Sequence, residues 1–115
     1  MSHPARIMYI EFKGGDIVGP ARIGRVTFSK TGKSLYYKGK EFGGLRGSGF
    51  KANYRDVETR EEYWISGCKK DGTDALYSTN IEIDDDVRDE YWTMIRNKPE
   101  SKHITSFRCD GKYSS

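Results

Sequence analysis

The chain has 115 residues, 35% of them hydrophobic and 13% aromatic, and carries a formal net charge of +3. That length holds one small domain with a modest core, and excludes a two-domain enzyme built around a deep cleft. The aromatic content argues against disorder, and no apolar run approaches the length of a membrane span.

Ile7 to Phe12 (IMYIEF) is rich in β-formers and ends at the Lys13-Gly14-Gly15-Asp16 turn. Gly19-Pro20 then punctuates the chain before a second strand, roughly Arg22 to Ser29. In it Gly24, Val26 and Phe28 alternate with Ile23, Arg25 and Thr27, which predicts one apolar and one mixed face. Thr31-Gly32 supplies a turn, and Ser34 to Lys38 returns as the second arm of a hairpin. Gly39 to Gly49, with glycines at 39, 43, 44, 47 and 49, reads as a loop anchored by Phe42, Leu45 and Phe50. Strands are predicted over Ala52–Val57 and Glu62–Ser66, with Arg60 near the turn between them. A turn around Asp71-Gly72 leads to short strands near Ala75–Tyr77 and Ile81–Ile83. Turn signals at this spacing, with thirteen glycines against three prolines, predict a mainly β fold. The expected architecture is a small antiparallel β-barrel of the SH3-like type.

One helix is predicted near residues 86–96. Asp84, Asp85 and Asp86 are candidate N-caps, and Asp89 and Glu90 suit the positive end of a helix dipole. Val87, Tyr91, Met94 and Ile95 form one apolar stripe, and Asn97 and Pro99 end the helix. Residues 1–98 therefore read as a single domain. Residues 99–115 read as a mostly flexible tail, with Ile104 and Phe107 its main anchors and an added edge strand as the alternative.

The small net charge conceals an asymmetry. Residues 1–51 carry ten Lys/Arg against three Asp/Glu, and residues 52–115 carry ten against fourteen. Such a split marks either a polyanion-binding face or two halves that face each other with complementary charge, and the second is the commoner outcome.

Most motif fragments dissolve on inspection. Thr31-Gly32-Lys33-Ser34 matches the end of a phosphate-binding loop, but Thr27 stands where the earlier glycine is needed, and a strand follows instead of a helix. Gly47-Ser48-Gly49-Phe50-Lys51-Ala52 mimics a dinucleotide fingerprint without its βαβ unit. Three consecutive aspartates do not have calcium-loop spacing, and His3 and His103 have no ligand neighbours, so neither metal nor cofactor is expected. Cys68 beside Lys69-Lys70 is the one candidate nucleophile, since adjacent cations favour thiolate. No histidine lies near it in sequence to act as base. Tyr63-Trp64 and Tyr91-Trp92 each follow acidic residues; one ring of each pair should be core and the other partly exposed, which makes either a second candidate protein-binding surface or, the favoured reading, packing of the helix on the barrel.

The remaining candidate is the basic hairpin. Lys30, Lys33, Lys38, Lys40, Arg46 and Lys51 are candidate binding residues, with Tyr36 as a stacking or packing ring. Strand alternation places Tyr36 and Tyr37 on opposite faces, so only one of them can join the strip. Lysines at turns and strand edges also simply keep sheets from pairing edge to edge.

The strings GPARIGRVTFSKTGKSLYYKGKEF, KANYRDVET, EEYWISG and IDDDVRDEYW together resemble a family of short, uncharacterised bacterial proteins. The resemblance runs from about Met8 to Arg96 and supplies no catalytic residues. Members sometimes carry a deoxyxylulose-phosphate synthase label, which a chain of this length without a thiamine-diphosphate motif does not support. Arg60 stands where a turn glycine would be usual, and the segment after Pro99 is an addition. The expected function is a non-enzymatic binding module that meets a protein or an acidic polymer through the hairpin. Single-stranded nucleic-acid binding and a small enzyme using Cys68 are the alternatives. Cys68 and Cys109 form no CxxC pair, and Met1 to Phe12 lacks signal-peptide character, so reduced thiols in the cytoplasm are expected, with no membrane partner.

Overall fold

The computed structural model describes residues 3–13, 20–45, 52–75 and 79–109. Its strands are β1 (His3–Phe12), β2 (Ala21–Phe28), β3 (Ser34–Tyr37), β4 (Lys40–Gly44), β5 (Tyr54–Asp56), β6 (Glu62–Gly67), β7 (Thr79–Ile83) and β8 (Ser106–Cys109). Each of β1 to β5 pairs antiparallel with the next strand, and β1 also pairs with β6, which closes a six-stranded antiparallel barrel. The fold is mainly β, as the turn spacing predicts.

β2 forks. Thr27 and Phe28 pair with β3, whereas Ala21 to Ile23 pair in parallel with β7, and β8 adds to the far side of β7. The strands that the fork separates belong to two cores. Met8, Ile10, Val26, Leu35, Tyr37, Phe42 and Ile65 fill the barrel. Tyr9, Ala21, Ile23, Ile81, Ile83, Val87, Tyr91, Trp92 and Cys109 form a second core between the outside of the barrel and the layer made by β7, β8 and the helix. Residues alternating along β1 and β2 thus enter different cores. This explains the unbroken apolar run in β1 and corrects the reading of β2 as apolar on one face only: Ile23 and Val26 are both buried.

The predicted loop over Gly39–Gly49 begins instead with β4. Lys38 and Gly39 both have positive φ (49° and 80°) and link Tyr37 to Lys40 in a two-residue hairpin turn of the primed kind. Phe42 is buried as expected and Leu45 partly so, while Phe50 lies outside the described residues. Ala75 is buried outside any strand, and Leu76 and Tyr77 of the predicted strand there also lie outside the described residues.

The helix is a single turn, α1 (Arg88–Glu90), continued by a π turn over Tyr91–Ile95 in which Arg96 N–H donates to the Tyr91 carbonyl at 2.9 Å. The wider turn rotates Trp92 into the core in place of Met94, which is 79% exposed. None of the three aspartates caps it: the N-cap is Val87, without a side-chain hydrogen bond. Asn97, at φ 55°, terminates the segment as predicted. Beyond it the expected flexible tail is structured as far as Cys109. Pro99–Ser101 form a 3-10 turn and β8 pairs with β7. Phe107 stacks on Tyr91 at 5.9 Å, and the Arg96 guanidinium covers the rings of Trp92, Phe107 and Tyr91 at 4.9, 5.1 and 5.8 Å. No helix among the described residues is long and apolar enough to cross a membrane.

Arg60, placed where a glycine would be usual, has φ 69° in the turn from β5 to β6. Asp56 fastens this turn by accepting the N–H groups of Glu58 and Thr59 at 2.9 and 3.2 Å, which holds its carboxyl below the usual range. Arg60→Gly is expected to stabilise the chain by about 0.5–1 kcal/mol, because a Cβ in the left-handed region costs more than the extra chain entropy of glycine. A urea midpoint that rises at unchanged slope would confirm this; an unmoved or lower midpoint would refute it.

Candidate functional site

The predicted basic strip is divided by the strand it was thought to line. Lys30 and Lys33 lie in the turn before β3, Lys38 in the turn after it and Lys40 at the start of β4. A strand of four residues spans roughly 13 Å at 3.3–3.4 Å per residue, so the two lysine pairs stand at opposite ends of the barrel. Tyr36 lies between them, faces outward and is 39% exposed, while Tyr37 points into the barrel, as alternation requires. Directly across from Tyr36 on β4 is Glu41, an acid in the middle of the expected cationic strip. Arg46 and Lys51 lie outside the described residues.

Part of the charge asymmetry is met inside the molecule. Arg22, Arg25 and Lys38 of the basic half pair with Glu82, Asp84, Asp86 and Glu90 of the acidic half. The centre of this exchange is Asp84, which is 4% exposed. It accepts Arg22 Nε at 2.8 Å and the Tyr37 hydroxyl at 2.5 Å, with Arg22 Nη2 at 2.7 Å and Lys38 Nζ at 3.5 Å. Burial, then the Asp84 carboxylate, raises the Tyr37 phenol above its ordinary range, and the hydrogen bond to Asp84 makes the Arg22 guanidinium hold its proton still more firmly. Sequence reasoning assigned Asp84 to a helix cap; its real partners lie 47 and 62 residues away, and no local pattern signals them.

This cluster fills the fork in β2 and forms part of the wall of the barrel mouth. Beside it opens a cavity of about 400 Å³. Ile10, Phe12, Pro20 and Phe42, with Tyr37 and Tyr63, give it apolar walls, and Arg22, Lys38, Lys40 and Glu61 supply its charges. Tyr63 meets Phe12 and Phe42 edge-on, at 5.4 and 4.9 Å between ring centroids. Lys40 is exposed and forms no ion pair among the described residues. A second depression of about 340 Å³ lies near Tyr37 and Lys38, lined chiefly by polar groups including Arg25, Thr27, Asp84 and Asp86. Of the predicted site residues that the structure describes, Lys38 and Lys40 reach the apolar cavity and Lys30, Lys33 and Tyr36 do not, and Arg22 was not anticipated.

Cys68 does not have the activation its neighbours suggested. Lys69 and Lys70 are exposed, whereas the partly buried Cys68 thiol donates to the Ile7 carbonyl at 3.8 Å. Burial, then the charge of Asp74, pushes the thiol up to about 12, the reverse of what a nucleophile needs. Asp74 is itself buried: one oxygen accepts Lys69 N–H at 2.8 Å and the other has no partner among the described residues. Burial raises its carboxyl to about 6. The described residues contain no cluster of three His, Cys, Asp or Glu side chains arranged for a metal. The two aromatic pairs divide: Tyr63 lines the apolar cavity, whereas the other three rings pack in the second core. Tyr91 and Trp92 are both buried in the second core, the Trp92 indole donating to the Ile104 carbonyl at 3.0 Å, and Trp64 packs against the same core.

Compared with family models, with curated proteins and with solved structures, the chain gives no match.

Proposed function

We propose that this chain is a non-enzymatic binding module that meets an acidic segment of a partner protein at the end of the barrel bearing Lys38 and Lys40. The observation that carries this reading is the open apolar cavity at that end, with lysines on its rim and Lys40 unpaired among the described residues. Apolar surface supplies affinity, and cations around it select acidic partners and speed encounter. The protonated, partly buried Cys68 thiol weighs against the rival reading as a thiol enzyme. Both cysteines are free thiols, in keeping with a reducing compartment.

Because the lysines occupy opposite ends, charge reversal distinguishes them. Lys40→Glu is expected to weaken binding of a Glu-rich peptide about fivefold at low salt, the effect of roughly 1 kcal/mol, while Lys33→Glu leaves it nearly unchanged. Calorimetric titration reads both; equal affinity of wild type and Lys40→Glu would remove the assignment. A second reading, single-stranded nucleic acid, is favoured by the outward ring of Tyr36 between the lysine pairs and opposed by Glu41 beside it. The same titration with an oligothymidylate selects that reading if binding is salt-steep and Lys33→Glu weakens it.

A further inference from the structure

Resting on that reading, we propose that the barrel mouth receives one aromatic side chain of the acidic segment, with the carboxylates flanking that ring lying against Lys38 and Lys40. At about 400 Å³ the cavity is near the small end of ligand pockets, ~300–1,000 Å³, a fit for one ring rather than an extended ligand. Its depth is set by Ile10 and Phe42, 4% and 1% exposed, and its lip by the half-buried Phe12 and Tyr63. Tyr63 already meets two rings edge-on, and a third ring extends the same packing, a preference that an aliphatic anchor does not satisfy.

The cations argue for a peptide rather than a free aryl acid. Arg22 on β2 and Lys38 in the hairpin turn converge on Asp84, whereas Lys40 on β4 stands apart from that carboxylate, so the rim does not gather its three cations around a single incoming carboxylate. Arg22 and Lys38 already share Asp84, which leaves Lys40, whose charge reaches Asp56 without an ion pair among the described residues, as the rim cation open to a partner. Among the described residues Glu61 is the one acid lining the cavity, so the rim favours several carboxylates spaced along a chain.

The test titrates the full chain with a short Glu/Gly peptide bearing a central Phe, the same peptide with Ala in place of Phe, and phenylacetate. The Phe peptide is expected to bind about tenfold more tightly than the Ala peptide, the effect of an ordinary anchor residue. Its ring protons should show intermolecular contacts with the Ile10 methyl groups and the Tyr63 ring in NMR spectra of the wild-type chain. Phe12→Ala, with its melting curve recorded alongside, should shrink the preference for Phe. Equal binding of the two peptides would overturn the anchor while leaving the cationic surface in place. Binding of neither would overturn the surface itself. Phenylacetate binding as tightly as the Phe peptide would overturn the choice of a peptide in favour of a small aryl acid.

Discussion

Gly24→Ala is expected to lower the thermal midpoint by about 10 °C, the result of losing about 2–3 kcal/mol in a domain of this size. Gly24 lies at the fork of β2, between the residues that pair with β3 and those that pair with β7. A Cβ there would stand 2.6 Å from Asp84 Oδ2 and closer still to the Tyr37 ring. Neither neighbour can yield cheaply. Tyr37 is packed in the barrel core and its hydroxyl is bound to Asp84, while Asp84 is held by Arg22 and by its own N–H on the Ile23 carbonyl at 2.9 Å. Relief therefore requires moving a buried carboxylate away from its donors, which is costlier than shifting an exposed side chain. A melting curve followed by circular dichroism checks this, and an unmoved midpoint would mean the fork opens freely.

Asp74→Asn is expected to stabilise the chain above pH 6 by on the order of 2–3 kcal/mol, with little effect at pH 4. The Asp74 carboxyl titrates near 6 in the folded chain against 3.8 unperturbed, so the folded state holds this proton more tightly than the unfolded one. Its contribution is most favourable below about pH 4, declines as pH rises through 4–6, and is lowest above 6, where a buried carboxylate keeps one oxygen without a partner among the described residues. The amide keeps an acceptor for the Lys69 N–H and removes the charge. Urea unfolding of both proteins between pH 4 and 7 should give curves that coincide at the acid end and separate through pH 6. Parallel curves would show that Asp74 carries no such burden.

How far the sequence was legible follows from how local each signal was. Strands with runs of β-formers, such as β1 and β6, were visible because their side chains advertise burial directly. β4 was not, since its glycines resemble loop and its turn begins with a lysine in a conformation that composition does not reveal. β8 was legible only as an edge-strand alternative to a flexible tail because Ser-Phe-Arg-Cys is short and polar; it is held by β7 and by the packing of Phe107 on Tyr91, a non-local gain. The site divides in the same way. Lys38 and Lys40 were found by counting charge, but Arg22 and Asp84 acquire meaning only where the fork of β2 brings them together, and the cavity draws its walls from five strands and the turns between them.

The sharing of β1 and β2 between two cores also dictates an order of events during synthesis. β1 emerges early, yet its barrel partner β6 follows more than fifty residues later, and Tyr9 and Ile23 are covered only once β7, the helix and β8 have left the ribosome. At translation speeds of about 5–20 residues per second, those apolar faces spend seconds without their native cover. A nascent chain halted after β6 should therefore be the form that chaperones bind most strongly, and residues 79–109 act as the release from that hold.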